Sequence, residues 1–171
     1  MRLFIALELP EGVKGSIASW TEPLRKRNPG LKWCGPENLH VTLRFLGNVD
    51  PDEVALRIGR MRLERCLPVD FTLETAGTFG RPPSVLWLSG DFSRGVYIAA
   101  DLLAGIPDEN GAPEGRKFFP HVTVARARKG DSLQAAQPGT KIQGSSSRIS
   151  LFSSTLTPSG PLYSTLFTAG R

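Results

Sequence analysis

Apolar and polar positions along this chain follow two rhythms, one of period two and one of period 3.6, and the two alternate. Residues 2–9 (RLFIALEL) are a short apolar run ending at Pro10, which predicts a buried strand. Residues 11–26 carry Val13, Ile17, Trp20 and Leu24 at helical spacing, and Asn28-Pro29-Gly30 stops that helix. A short strand is expected over 31–33, then a turn at Pro36-Glu37-Asn38. Residues 40–46 (HVTLRFL) alternate as a strand does, and Gly47 ends them. On that alternation Val41, Leu43 and Phe45 face the core. Asp50-Pro51-Asp52-Glu53 opens a second helix, with proline at its first position and acid in its first turn. Val54, Ile58, Met61 and Leu63 carry it to about Arg65.

The rest of the chain continues in the same manner. Residues 69–78 and 85–88 (VLWL) predict strands on either side of the loop Arg81-Pro82-Pro83-Ser84. Residues 91–104 predict a helix that Gly95 weakens, 107–116 an exposed loop and 121–126 a strand. The polar, Gly/Ser-rich stretch 129–147 reads as a mobile loop. Two last strands, 148–156 and 162–168, flank a hairpin turn at Thr157-Pro158-Ser159-Gly160-Pro161.

One tripeptide occurs twice, as His40-Val41-Thr42 and His121-Val122-Thr123, and it holds the chain's only two histidines. The strand at 3–9 lies 31 to 37 residues before His40, and the same offset before His121 lands on 84–90, which contains VLWL. Each half then continues into a further strand, FTLETAGTF or SRISLFSS. The pattern marks a duplication that yields two similar lobes facing each other.

Composition narrows the picture modestly. At 171 residues, 40% hydrophobic and 22% charged, the chain can bury one sizeable core. Its 21 Lys and Arg against 16 Asp and Glu leave a charge of +5, which favours an anionic partner. Cys34 and Cys66 sit in no CxxC or metal-ligand spacing, as expected of reduced cysteines. The first apolar run breaks at Glu8 and Pro10, too early for a signal peptide, and no run is long enough for a membrane span. A soluble, cytoplasmic protein is expected.

Residues two apart on a strand share a face. His40 and Thr42 therefore project together, as do His121 and Thr123, and facing lobes can converge both pairs on one cleft. Two imidazoles with ordinary pKa values near 6.5 suit in-line displacement at phosphorus. One takes a proton from the nucleophile and the other gives one to the leaving group, while threonine hydroxyls bond the non-bridging oxygens. A single His-x-Thr is a weak signal; two in matching positions are a strong one. Two histidines with no neighbouring carboxylate or cysteine make a poor metal-ligand set, so neither metal nor cofactor is expected. Arg44 follows Thr42 by two and should share its face. Arg126 follows Thr123 by three, so it reaches the cleft only if the strand ends or bulges there. Either could bind phosphate in a bidentate manner. Phe119 and Phe79, each near basic residues, are candidates for stacking a nucleobase.

These residues and their flanks resemble the 2H phosphoesterase superfamily, and within it the RNA 2′,3′-cyclic phosphodiesterases, also called 2′-5′ RNA ligases. The resemblance runs from RLFIALELP through PENLHVTLRFLG, VLWL and FFPHVTVAR to LTPSGPLYSTL. It implies a bilobal α/β (α+β) fold with pseudo-twofold symmetry, in which two antiparallel-rich sheets flank a central cleft and helices lie outside. One domain over 1–171 is expected, with lobes of about 1–80 and 81–171 that can exchange strands.

The resemblance further implies metal-independent hydrolysis of a 2′,3′-cyclic phosphate at RNA ends or on nucleotides, giving a 2′-phosphomonoester, with 2′-5′ ligation as related chemistry. By the same resemblance His40 is the proton donor, His121 the proton acceptor, and Thr42, Thr123 and Arg126 bind phosphate. The nearly identical motifs do not themselves assign acid and base. Expected partners are RNA with cyclic phosphate ends, tRNA fragments or small nucleotides. The repeat supplies both half-sites in one chain, so a monomer suffices. The alternatives are a non-catalytic RNA-binding module that keeps the cleft, and another 2H cyclic nucleotide phosphodiesterase.

Overall fold

The computed structural model describes residues 2–128, 131–158 and 160–170. Nine strands and three α-helices follow one another along the described chain. Strand β1 (Arg2–Glu8) leads to α1 (Glu11–Arg27), the two-residue β2 (Lys32–Trp33) and β3 (His40–Gly47). Then come α2 (Pro51–Arg60), β4 (Val69–Phe79), β5 (Val85–Phe92), α3 (Arg94–Ala104) and β6 (Val122–Arg126). The chain finishes with β7 (Ile142–Ser146), β8 (Arg148–Thr157) and β9 (Gly160–Gly170).

All strand pairing is antiparallel, and the strands form one path in the order β7-β4-β5-β6-β3-β1-β8-β9, with β2 added beside β6. The α+β expectation holds, and the two sheets meet. β3 and β6 share only the pair Val41 opposite Val122 before they diverge. On one side of that junction β3 lies on β1 and β1 on β8; on the other, β6 lies on β5 and β5 on β4. The halves match in register. Leu7 opposes Val41 as Leu88 opposes Val122, and Ala6 opposes Thr42 as Trp87 opposes Thr123. Strand β4 therefore pairs within the β5–β6 half, and the C-terminal hairpin β8–β9 returns to the β1–β3 half.

Each half also bulges at the same point. Ile5 opposes Arg44 while the next residue, Ala6, opposes Thr42, so Leu43 is an extra residue on β3. Leu86 opposes Ala125 while Trp87 opposes Thr123, so Val124 is the extra residue on β6. A bulge turns the following side chains onto the other face. The burial sequence from histidine onward is the same in both strands: three partly open or exposed positions (His, Thr, and Phe45 or Arg126) separated by buried ones.

Several boundaries differ from the sequence expectation, each for a local reason. Helix α2 stops at Arg60 because Arg62 takes a left-handed conformation, and a 3-10 turn (Leu63–Cys66) follows. Its start is as expected, with the Asp50 carboxylate accepting from the Asp52 and Glu53 amides at 2.9 and 3.0 Å. Helix α3 begins after Phe92, because Asp91 and Phe92 still pair with β4. Gly95, weak as a helix former, lets α3 lie directly against the Cys66 carbonyl, where a Cβ would collide.

The loop expected over 129–147 is only partly a loop. Ile142–Ser146 is strand β7, paired with β4 and covered by α1, where Val13 packs over the bare Cα of Gly144. The Gln137 amide bonds both the N–H and the C=O of Ala76, at 2.9 and 2.8 Å, and so continues that edge. Lys129 and Gly130 of that stretch, and Ser159 of the hairpin turn, lie outside the described residues.

Candidate active site

The divergence of β3 from β6 opens a cleft of about 420 Å³ whose walls carry His40, Thr42, His121, Thr123 and Arg126. The sequence-predicted core of the site is thus brought together. A neighbouring groove of about 690 Å³ touches His40 but not His121. The pair of histidines identifies the smaller space as the site.

Both imidazoles are held in one way. His40 Nδ1 donates to the Asn38 carbonyl at 2.7 Å, and His121 Nδ1 donates to the Phe119 carbonyl at 2.8 Å. A carbonyl can only accept, so each neutral ring carries its proton on Nδ1 and presents a bare Nε2. Thr42 Oγ1 lies 3.1 Å from His40 Nε2 and donates to it. The polar atom left for chemistry is thus Nε2 on both rings.

Aromatic rings enclose each imidazole, but different ones. Phe4 and Tyr163 stand 4.9 and 5.6 Å from His40, whereas Phe79 and Phe119 stand 5.0 and 5.8 Å from His121. Burial above all, with the charges of His121, Arg126 and Lys14 acting in the same sense, lowers the pKa of His40 from 6.5 to about 4, despite the bond to Asn38. His121 is lowered too, by burial first and then by Arg126. Both rings are therefore neutral near pH 7 in the free protein. An arriving phosphate anion offsets these shifts, because negative charge beside each ring favours its protonated form.

The bulges settle the two arginines. Val124 turns Arg126 into the cleft, with no carboxylate within 4.0 Å among the described residues. Arg44 is a correction. Leu43 turns it away from Thr42 to the opposite face, where it is 3% exposed. There it donates to the Ile106 carbonyl at 3.2 and 2.8 Å, to the Ala112 carbonyl at 2.9 Å and to Glu114 at 3.1 Å. Arg44 pins the 107–116 loop to β3 and does not reach the cleft. Phe45, expected in the core, is the converse correction. It is 49% exposed and lines the cleft at the position that corresponds to Arg126.

Phe79 and Phe119 stand at the edge of the site, 39% and 44% exposed. Their rings pack round His121, with Phe119 stacked on it at 17°. Phe118, beside Phe119, is partly buried on the core.

Sequence reasoning missed Phe4, Phe45, Tyr163 and Lys32, all of which line the cleft. Phe45 is legible once the repeat is extended five residues past each histidine, where it matches Arg126. Tyr163 is not legible locally, because the C-terminal hairpin crosses to the first half. Among the described residues no three His, Cys, Asp or Glu side chains gather as a metal-binding set. No helix among them is long and apolar enough to cross a membrane.

Comparison with known proteins gives a consistent result. A family profile described as "LigT like Phosphoesterase" matches residues 7–87. An RNA 2′,3′-cyclic phosphodiesterase of Thermotoga maritima is 34% identical over 98% of this chain and 94% of its own. One from Methanocaldococcus jannaschii is 30% identical over 95% of this chain and 96% of its own. The crystal structure of E. coli LigT in apo form superposes with a TM-score of 0.77 at 25% identity, covering 99% of this chain and 96% of that one. E. coli LigT has also been crystallised with 3′-AMP, and that structure superposes at 0.74 with 25% identity, covering 99% and 97% of the two chains.

Proposed function

The chain belongs to the LigT-like phosphoesterases of the 2H superfamily, and from that premise we propose that it hydrolyses 2′,3′-cyclic phosphates at RNA ends to 2′-phosphomonoesters. It is a phosphodiesterase. The observation that carries the mechanism is the matched pair of imidazoles on one cleft, each with Nδ1 tied to a carbonyl, which leaves Nε2, partnered by the Thr42 hydroxyl at His40, for proton transfer.

His121 Nε2 takes a proton from water, whose oxygen forms the new bond to phosphorus. The P–O3′ bond opposite breaks, and His40 Nε2, protonated once the anion is bound, gives its proton to O3′. The 2′-phosphate and a free 3′-hydroxyl result, and solvent restores the two protonation states. Thr42, Thr123 and Arg126 face the non-bridging oxygens, where charge builds up. The residue-by-residue likeness to the family assigns acid to His40 and base to His121. An RNA 5′-hydroxyl in the water's place would give a 2′-5′ linkage by the same transfers. The scheme uses no metal, and both half-sites lie in one chain, so a monomer suffices. Cys34 and Cys66 are unpaired, which suits the cytoplasm, where we place the reaction.

End-group analysis after incubation with an RNA oligonucleotide bearing a 2′,3′-cyclic phosphate tests this reading. A 2′-phosphate product formed in the presence of a chelator is expected. A 3′-phosphate product, or tight binding of the RNA without turnover, would overturn it.

A further inference from the structure

Three cations line the cleft, Arg2 on β1, Lys32 on β2 and Arg126 on β6, and a single short strand brings two of them side by side. β2 pairs with β6, and among the described residues no equivalent strand pairs with β3. Its register sets Lys32 opposite Arg126. Residues opposite one another in an antiparallel pair share a face, at strand spacings of about 5 Å. Both side chains line the cleft. Like charges in that relation repel unless an anion lies between or beside them.

Neither cation has a carboxylate within 4.0 Å among the described residues, whereas eight ion pairs hold charges elsewhere. Glu37 also lines the cleft, but it makes no ion pair with either. One cyclic phosphate carries a single negative charge and has Arg126 to meet it. Lys32 is then a further cation, one strand over from Arg126, without a use in the reaction itself.

We infer that Lys32 binds the phosphate on the 5′ side of the terminal nucleotide, so that the cleft reads two successive phosphates of one RNA strand. Arg126 meets the reacting cyclic phosphate and Lys32 the flanking one. This rests on the proposed activity and adds a specificity to it: the preferred substrate is an end that continues, or at least carries a 5′-phosphate, rather than a bare nucleoside cyclic phosphate. Lys32 is exposed on a two-residue strand, so replacing it leaves the core untouched.

The test compares a nucleoside 2′,3′-cyclic phosphate with a 5′-hydroxyl against the same compound with a 5′-phosphate, at low ionic strength. The wild-type protein should show a KM ~2–5-fold lower for the phosphorylated compound, with kcat little changed, as for an exposed ion pair. Lys32→Gln should abolish that preference, read as the ratio of the two KM values within the variant, and Lys32→Arg should retain it. Equal KM values in the wild type, or a preference that survives Lys32→Gln, would overturn the assignment and leave the hydrolytic activity standing. Failure to hydrolyse either compound would remove the proposed activity and this assignment together.

Discussion

His40 and His121 stand 81 residues apart at the same point of two matching strands, with the same bulge three residues on and the same tautomer, yet their surroundings differ. Two residues before each histidine, Asn38 stands where the other half has Phe119. The Asn38 amide donates to the Pro161 carbonyl at 3.2 Å and so ties the C-terminal hairpin over His40, while the Phe119 ring stacks on His121. Four residues after, buried Arg44 stands against buried Ala125. Five residues after, Phe45 stands against Arg126, an aromatic ring where the other half has a cation. Duplication supplied the geometry of the pair, and these exchanges distinguish its members. The deeper burial is at His40, whose pKa falls to about 4.

The comparison breaks most visibly if either histidine is dispensable. His40→Ala and His121→Ala should each lower kcat by roughly 10²–10⁴ on a 2′,3′-cyclic substrate. Circular dichroism should show the fold retained, since neither ring carries the core.

The two arginines should separate next. Arg126→Gln should lower turnover by roughly 10²-fold, as for loss of a charge-stabilising donor, with the melting temperature unchanged. Arg44→Leu should do the reverse. Stranding the Ile106 and Ala112 carbonyls costs roughly 2–4 kcal/mol in chemical denaturation, and kcat should change little. An equal loss of turnover in both variants would show that the bulges do not partition the arginines.

Stability against pH sharpens the contrast between the imidazoles. His40 has a folded pKa of about 4 against 6.5 ordinarily, so the unfolded chain binds more protons between those values. Its contribution is fully present above pH 6.5 and is lost as pH falls toward 4, by roughly 3 kcal/mol at most. Denaturation midpoints of wild type and His40→Gln, measured from pH 7 to 4, should converge as the pH falls. Parallel curves would mean that His40 is not held neutral by burial. The smallest effect is expected from Phe119→Ala. Removing the stacked ring should raise the His121 pKa toward its ordinary value while leaving His40 unmoved, by NMR titration.

The repeat was legible in the sequence because tripeptide, offset and following strand all recur. The convergence of His40, Thr42, His121 and Thr123 on one cleft was legible because strand alternation holds from His to Thr in each copy. It fails one residue later, and with it the reading of Arg44 and Phe45. A bulge is a matter of pairing between strands, not of local pattern, and nothing in HVTLRF marks Leu43 as the extra residue. Ile142–Ser146 was hidden for a related reason. Its composition is that of a loop, and it becomes a strand because β4 offers an edge and α1 covers it. Tyr163 reaches His40 only through the return of the last hairpin to the first half.

The central claim is that two equivalent histidines act in opposite senses on one phosphorus, His40 as acid and His121 as base. A cyclic substrate whose bridging 3′-oxygen is replaced by sulfur tests it most directly, because a thiolate leaves without being protonated. Single-turnover rates of His40→Ala and His121→Ala on this compound are the measurement. His40→Ala should recover most of the wild-type rate, and His121→Ala should remain inactive. Recovery by His121→Ala instead, or by neither variant, would contradict the account.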